Sequence, residues 1–217
     1  MYQTPSLNSS LLFLILCFIS CKNSKPQLAL PYYNTPNFTP HFIQNQDEVS
    51  KVITHTIDNF SFVNQDNKLI TQKEIEGKIH VACFMFTACG SICPRLTEEM
   101  KLIATAYQTD TSVVILSFSV TPWKDTPEKL KIYKQNNNII KANWHFLTGG
   151  KSTIYSLART AYFAEEDLGF TKDSTEFLHT EHFVLVDQFK RIRGIYNGTL
   201  QLEAEQLIKD IALLKTE

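Results

Sequence analysis

Apolar positions first gather into an unbroken run, Leu11 to Ile19 (LLFLILCFI), and then thin out over a stretch rich in Pro, Asn, Ser and Thr. From about His55 the pattern changes to short apolar blocks separated by helix-spaced segments. Asn59 to Val63 (NFSFV) alternates polar with apolar, Gln65-Asp66-Asn67-Lys68 offers a turn, and Leu69 to Thr71 returns, which predicts a hairpin. Ile79 to Phe86 (IHVACFMF) is nearly continuous, as in a strand buried on both faces. Pro94 to Tyr107 places Leu96, Met100, Ile103, Ala104 and Tyr107 close to helical spacing. Val113 to Val120 predicts a second buried strand. Thr126-Pro127-Glu128 opens a helix to about Asn136, with Thr as N-cap and Pro at the first helical position. A short strand at Trp144 to Leu147 follows, then a helix over Ser152 to Ala161. Strands at His182 to Val186 and Arg193 to Tyr196 and a closing helix over Leu202 to Leu214 complete the series.

Strands alternating with helices imply an α/β layered domain. A hairpin, then strand-helix-strand, then two adjacent strands and a final helix is the order of a thioredoxin-like fold, a central mixed sheet flanked by helices with an N-terminal β-hairpin. The 21 basic and 22 acidic residues nearly cancel, and no single-sign run or internal repeat occurs, so the chain carries no footprint for nucleic acid. Its 43% hydrophobic and 20% charged residues are ordinary for a globular domain.

The run at Leu11 to Ile19 is too short to span a bilayer comfortably and fits the apolar centre of a secretory signal. It ends in Phe18-Ile19-Ser20-Cys21, which resembles a bacterial lipobox, a motif whose Cys is acylated and becomes the new N-terminus. Cys17 follows Leu16 and reads as part of the run. An ordinary cleaved signal or an uncleaved short anchor are the alternatives. The expected organisation is a lipoprotein signal over 1–21, a flexible tether over 22–50 with Leu30 to Phe42 able to pack on the domain, and the folded domain over 51–217. The expected place is the bacterial cell envelope, lipid-anchored and facing the periplasm or exterior.

Five cysteines in 217 residues do not make a disulfide-stapled mini-domain. Cys83 lies inside the apolar strand and reads as core. Cys89 and Cys93 follow the strand's end, in Phe86-Thr87-Ala88-Cys89-Gly90-Ser91-Ile92-Cys93-Pro94. Pro94 suits the first turn of a helix, which places Cys93 near the helix N-terminus, where thiolate is favoured. Two such thiols can form a short-loop disulfide or grip one soft metal ion together. A pair of thiolates leaves a metal ion under-ligated, so a nitrogen ligand is expected. His41 falls in the tether, and His80 and His145, in or next to strands, suit packing or surface roles. His179 and His182 precede or open a late strand and would point to opposite faces of it, so one of the two would face the cysteines.

The segment TACGSICPRLTEEM is similar to the CxxxCP motif of the Sco/SenC proteins, which help assemble the copper centre of cytochrome c oxidase. Phe60 to Gly77 resembles that family's hairpin. Ser117 to Pro127 (SFSVTPWKDTP) resembles its S-V-D-P-x-x-D-T-P segment, with Thr121 where Asp is usual. Trp144 to Gly149 (WHFLTG) resembles a further stretch. In the family a His stands eight residues before the Asp that ends the strand, and counting back from Asp187 gives His179. Leu178 stands where family members often carry Asp. The resemblance implies Cys89, Cys93 and His179 as ligands of one copper ion, Cu(I) or Cu(II), with His182 a neighbour. It also implies a partner that accepts copper, an oxidase subunit or another copper protein. A metallochaperone is the first functional reading. A thiol-disulfide oxidoreductase using Cys89 and Cys93 on partner cysteines is the second, and a redox or copper sensor without catalysis the third.

Overall fold

The computed structural model describes residues 29–139, 143–164 and 181–217. The first elements are short: β1 (Tyr32–Tyr33), β2 (Pro40–His41) and α1 (Gln46–Val52). The Asn45 side chain caps α1 by accepting the Asp47 N–H at 3.1 Å. β3 (Ser61–Asn64) and β4 (Leu69–Thr71) form the expected hairpin, pairing Phe62 with Ile70. Its turn is built by Asn64, whose side-chain oxygen accepts the N–H groups of Asp66 and Lys68, and by Asn67 at φ 58°.

β5 (Ile79–Met85), α2 (Ile92–Ala106), β6 (Val113–Ser119), α3 (Pro127–Asn136) and β7 (Trp144–Thr148) follow. Thr126 caps α3 through its hydroxyl, with Pro127 at the first position, as its sequence predicts. α4 (Lys151–Ser156) runs on into a π-turn over Leu157–Ala161. β8 (His182–Val186), β9 (Ile192–Asn197) and α5 (Gln201–Leu214) close the domain.

The strands make one mixed sheet in the order β2-β1-β9-β8-β5-β6-β7-β3-β4. β5, β6 and β7 are parallel, whereas β8 runs antiparallel to β5. Every residue of β5 and β6 is buried, because both faces of the sheet are covered. Ala82, Phe84, Leu116, Phe118, Val184 and Val186 face one core, roofed by Ile154, Ala158 and Tyr162. Val81, Cys83, Met85, Ile115, Phe183 and Leu185 face the other, against Leu96, Met100 and Ile103 of α2 and Leu207 and Ile211 of α5. This is the thioredoxin-like arrangement of the sequence expectation.

Leu30 and the residues after it pack onto the domain. Tyr33 pairs with Ile192, and Tyr32 and Val49 are buried. Buried Arg193 binds this segment by donating to the carbonyls of Leu30 and Pro31 at 2.9 and 3.1 Å, and it stacks over the Tyr32 ring at 3.9 Å. Among the described residues no helix is long and apolar enough to cross a membrane.

Candidate metal centre

β5 delivers the chain to the edge of the core at Met85, and a turn then carries it back over the sheet end. That turn is Phe86-Thr87-Ala88-Cys89, closed by the Cys89 N–H on the Phe86 carbonyl at 3.3 Å. α2 begins at Ile92, two residues before the position expected from Pro94, so Cys93 lies inside its first turn. The reason is that N–H groups throughout a first turn lack intrahelical partners, so Pro94 costs nothing at the third helical position. Packing of Leu96, Met100 and Ile103 on β5 draws the inner side of this turn into the core. Cys93 is therefore fully buried, while Cys89 remains half-buried at the rim.

The two sulfur environments differ sharply. Ser91 stands at the N-cap of α2 without a side-chain bond, and the Cys93 N–H instead points at Cys89 Sγ, 3.5 Å away. Burial works against ionisation of Cys89, but the backbone N–H groups of Cys93, Ser91 and Ile92 together with the Cys93 thiol outweigh it and hold Cys89 below the usual thiol range. At Cys93 burial dominates and pushes the thiol up to about 12. Cys83 lies deeper on the same face, its Sγ 3.1 Å from Ser117 Oγ, and burial pushes it to about 12 as well. It packs as expected of a core cysteine. All three are free thiols.

Residues beyond the expected set complete the surroundings. The Thr97 hydroxyl donates to the Cys93 carbonyl at 2.9 Å and accepts from Tyr133 Oη at 2.7 Å, which ties α3 to the turn that carries Cys93. Buried Asp125, in the loop before α3, reaches back to Thr87 in the cysteine turn. Nothing in the sequence alone distinguishes a buried Asp or Tyr here from a solvated one. The signal available for Asp125 was its place in the D-T-P part of the family-like segment.

Among the described residues no three His, Cys, Asp or Glu side chains group closely enough to hold a metal ion. His179, Leu178, Cys17 and Cys21 lie outside the described residues. The other histidines are placed elsewhere. His80 is buried on the far core, its Nε2 3.0 Å from the Tyr162 hydroxyl. His55 donates to the Ala161 carbonyl at 2.8 Å, and His145 meets the Asn64 amide at 3.2 Å. His182 opens β8 with its ring against Phe38, and its Nδ1 is buried without a partner among the described residues. β8 runs antiparallel to β5 with Ala82 opposite Val184, so His182 lies toward the end of the sheet from which the cysteine turn departs.

A model of the family described as SCO1/SenC matches residues 49–215. The chain is similar to the crystal structure of a SCO1/SenC family lipoprotein from Bacillus anthracis, with 31% identity, 74% of this chain and 95% of that one covered, and a TM-score of 0.65. It is similar to BsSco, described as a member of the Sco family of cytochrome c oxidase assembly proteins and as having a disulfide switch, at 30% identity over 75% of this chain and 94% of that one, TM-score 0.63. ScoI of Bradyrhizobium japonicum, solved with copper bound, is 25% identical over 74% of this chain and 98% of that one, TM-score 0.57. The family match runs from α1 to the end of α5 and takes in the whole cysteine turn, and on that ground the chain belongs to the SCO1/SenC family.

Proposed function

We propose that this protein is a membrane-anchored copper chaperone that assists assembly of the copper centre of cytochrome c oxidase, binding one copper ion through Cys89, Cys93 and His179. Soft thiolates at one helix start suit copper, and the copper-bound ScoI relative supports that choice of cargo. The observation that carries the choice of histidine is the alternation of β8. His182 shares the parity of Val184 and Val186, which face the far core, whereas Cys93 packs in the core of Phe183 and Leu185. His179 is the histidine that the family resemblance picks out, eight residues before Asp187.

Cys89, at the rim, is the ligand a partner can reach first, and the cargo would pass by ligand exchange starting there. The lipobox-like Phe18-Ile19-Ser20-Cys21 and the likeness to a lipoprotein support attachment through Cys21 to a membrane of the bacterial envelope.

A second reading, thiol-disulfide exchange on partner cysteines, is favoured by the asymmetry of the pair. A half-buried thiol at the rim with a lowered pKa beside a fully buried one suits attack by Cys89 and resolution by Cys93. The two readings separate on one variant. His179→Ala should lose copper yet keep disulfide exchange with a small dithiol, measured on the reduced protein by metal analysis after desalting and by a thiol exchange assay. Full copper retention in His179→Ala, Cys89→Ala and Cys93→Ala would refute the chaperone reading.

A further inference from the structure

Asp125 stands immediately before the N-cap of α3 and is fully buried. Four donors converge on its carboxylate. Thr87 gives its N–H to Oδ2 at 3.1 Å and its hydroxyl to Oδ1 at 2.5 Å. The Ser119 and Thr121 hydroxyls donate to Oδ2 at 2.6 and 3.1 Å. Among the described residues no Lys, Arg or His pairs with it. A buried carboxylate held by hydrogen bonds alone is tolerable only when the set is complete, since each missing donor exposes an unmet desolvation cost. Thr121 supplies one of them.

Half of the donors belong to Thr87, inside the turn that presents Cys89. The rest belong to the end of β6 and the residues just after it. Asp125 therefore fastens the cysteine turn to the neighbouring strand end, beside the Val120 N–H that bonds the Met85 carbonyl at 2.9 Å. Elsewhere the turn is held at its first residue, Phe86, which packs on both cores and whose backbone bonds the Cys93 thiol, and less so further along. Ala88 and Gly90 are exposed, a Cβ built on Gly90 would touch nothing, and the one backbone bond within the turn is long at 3.3 Å.

We propose that Asp125 and Thr87 are positioning residues for the thiol pair. Their bonds fix the Phe86–Cys89 turn so that Cys89 Sγ stays at the Cys93 N–H, in reach of Cys93 for disulfide closure or for sharing one soft ion. Preorganisation of this kind acts on both events, because each needs the two sulfurs close at once. The copper half of the inference rests on the function proposed above, and the disulfide half does not.

The test uses Thr87→Val, which keeps the shape and the N–H but removes the hydroxyl, with Thr87→Ser as the conservative rescue and Asp125→Asn as the stronger lesion. The metal-free protein is equilibrated with mixtures of glutathione and glutathione disulfide, in which closing one Cys89–Cys93 disulfide reduces one glutathione disulfide to two glutathiones. The closed fraction is read by mass spectrometry after acid quench and alkylation. The expected result is a closure constant lowered roughly 3- to 30-fold in Thr87→Val, lowered at least as far in Asp125→Asn, and within about twofold of wild type in Thr87→Ser. Copper affinity by chelator competition should fall in the same order. A folded Thr87→Val, with unchanged circular dichroism at the assay temperature and a wild-type closure constant, would overturn the proposal even if its melting temperature had dropped. If the wild type takes up no copper, the chaperone reading fails while the glutathione measurement still decides the positioning role.

Discussion

Cys89 and Cys93 are four positions apart and meet opposite surroundings, and their chemistry follows from that contrast. Cys89 is held below the usual thiol range by N–H groups at the start of α2, with burial opposing, whereas burial pushes Cys93 up to about 12. Iodoacetamide should therefore modify Cys89 first, with a rate that rises with pH and levels off below the usual thiol pKa, and Cys93 should stay unmodified in the folded protein. Peptide mass spectrometry across a pH series reads both. The same contrast sets the pH dependence of metal uptake. At neutral pH the Cys93 thiol holds its proton in the free protein and must lose it on binding a metal ion. Apparent copper affinity should accordingly rise about tenfold per pH unit for that one proton, and more steeply below the pKa of Cys89, where a second proton is released. Chelator competition at pH 6, 7 and 8 checks the slope, and a flat profile would mean that Cys93 is not a ligand. Tyr133→Phe, which removes the donor to Thr97, should cost about 1 kcal/mol in urea unfolding.

At the scale of elements, β5 joins two unlike cores, and its alternation places Cys83 toward α2 and His80 toward Tyr162. Burial lowers the His80 pKa from 6.5 to about 3. The unfolded chain thus binds a proton below pH 6.5 that the folded protein refuses until about pH 3, so stability should rise with pH across that window, by up to about 1.4 kcal/mol per unit from this group. Replacing His80 by Gln should flatten the acid limb of a denaturation-midpoint profile between those values. Gly198, after β9, shows how closely the site is backed. A Cβ there would lie 2.5 Å from Phe183 and 2.7 Å from Leu96, the α2 residue that packs one position short of a turn beyond Cys93. Gly198→Ala should cost about 1–3 kcal/mol through overpacking, read by chemical denaturation. The central strands and α3 were legible in the sequence because an apolar run and a Thr-Pro cap each leave a local mark. The start of α2 was not, since Pro is accepted at several first-turn positions. Nor was the π-turn over Leu157–Ala161, whose apolar spacing reads the same as that of an ordinary helix.

Across the whole molecule, the thioredoxin-like order of elements could be read from hydrophobic periodicity, and the cysteine pair from its place between a buried strand and a helix. What escaped the sequence is long-range: Asp125 meeting Thr87, Tyr133 meeting Thr97, and Arg193 gathering both ends of the described domain. Contacts between residues far apart in sequence leave no periodic trace. Arg193 forks onto Glu217 at 2.7 and 3.1 Å, approaches Asp187 at 3.5 Å, and holds the Leu30 and Pro31 carbonyls. Burial raises the Asp187 pKa in spite of the N–H groups of Arg191 and Phe189 and the Arg193 charge, so Glu217 is the stronger ion-pair partner. Arg193→Met should destabilise the domain by about 3–5 kcal/mol and open the segment near Tyr32 to limited proteolysis. The central claim is that this fold brings Cys89, Cys93 and His179 to one copper ion. The most direct measurement is a Cu(II) titration of the reduced protein followed by absorption and electron paramagnetic resonance, for wild type, His179→Ala and His182→Ala. The account predicts a thiolate-to-copper charge-transfer band saturating at one equivalent in wild type and His182→Ala and lost in His179→Ala. A band that survives in His179→Ala, or that vanishes in His182→Ala alone, would contradict it.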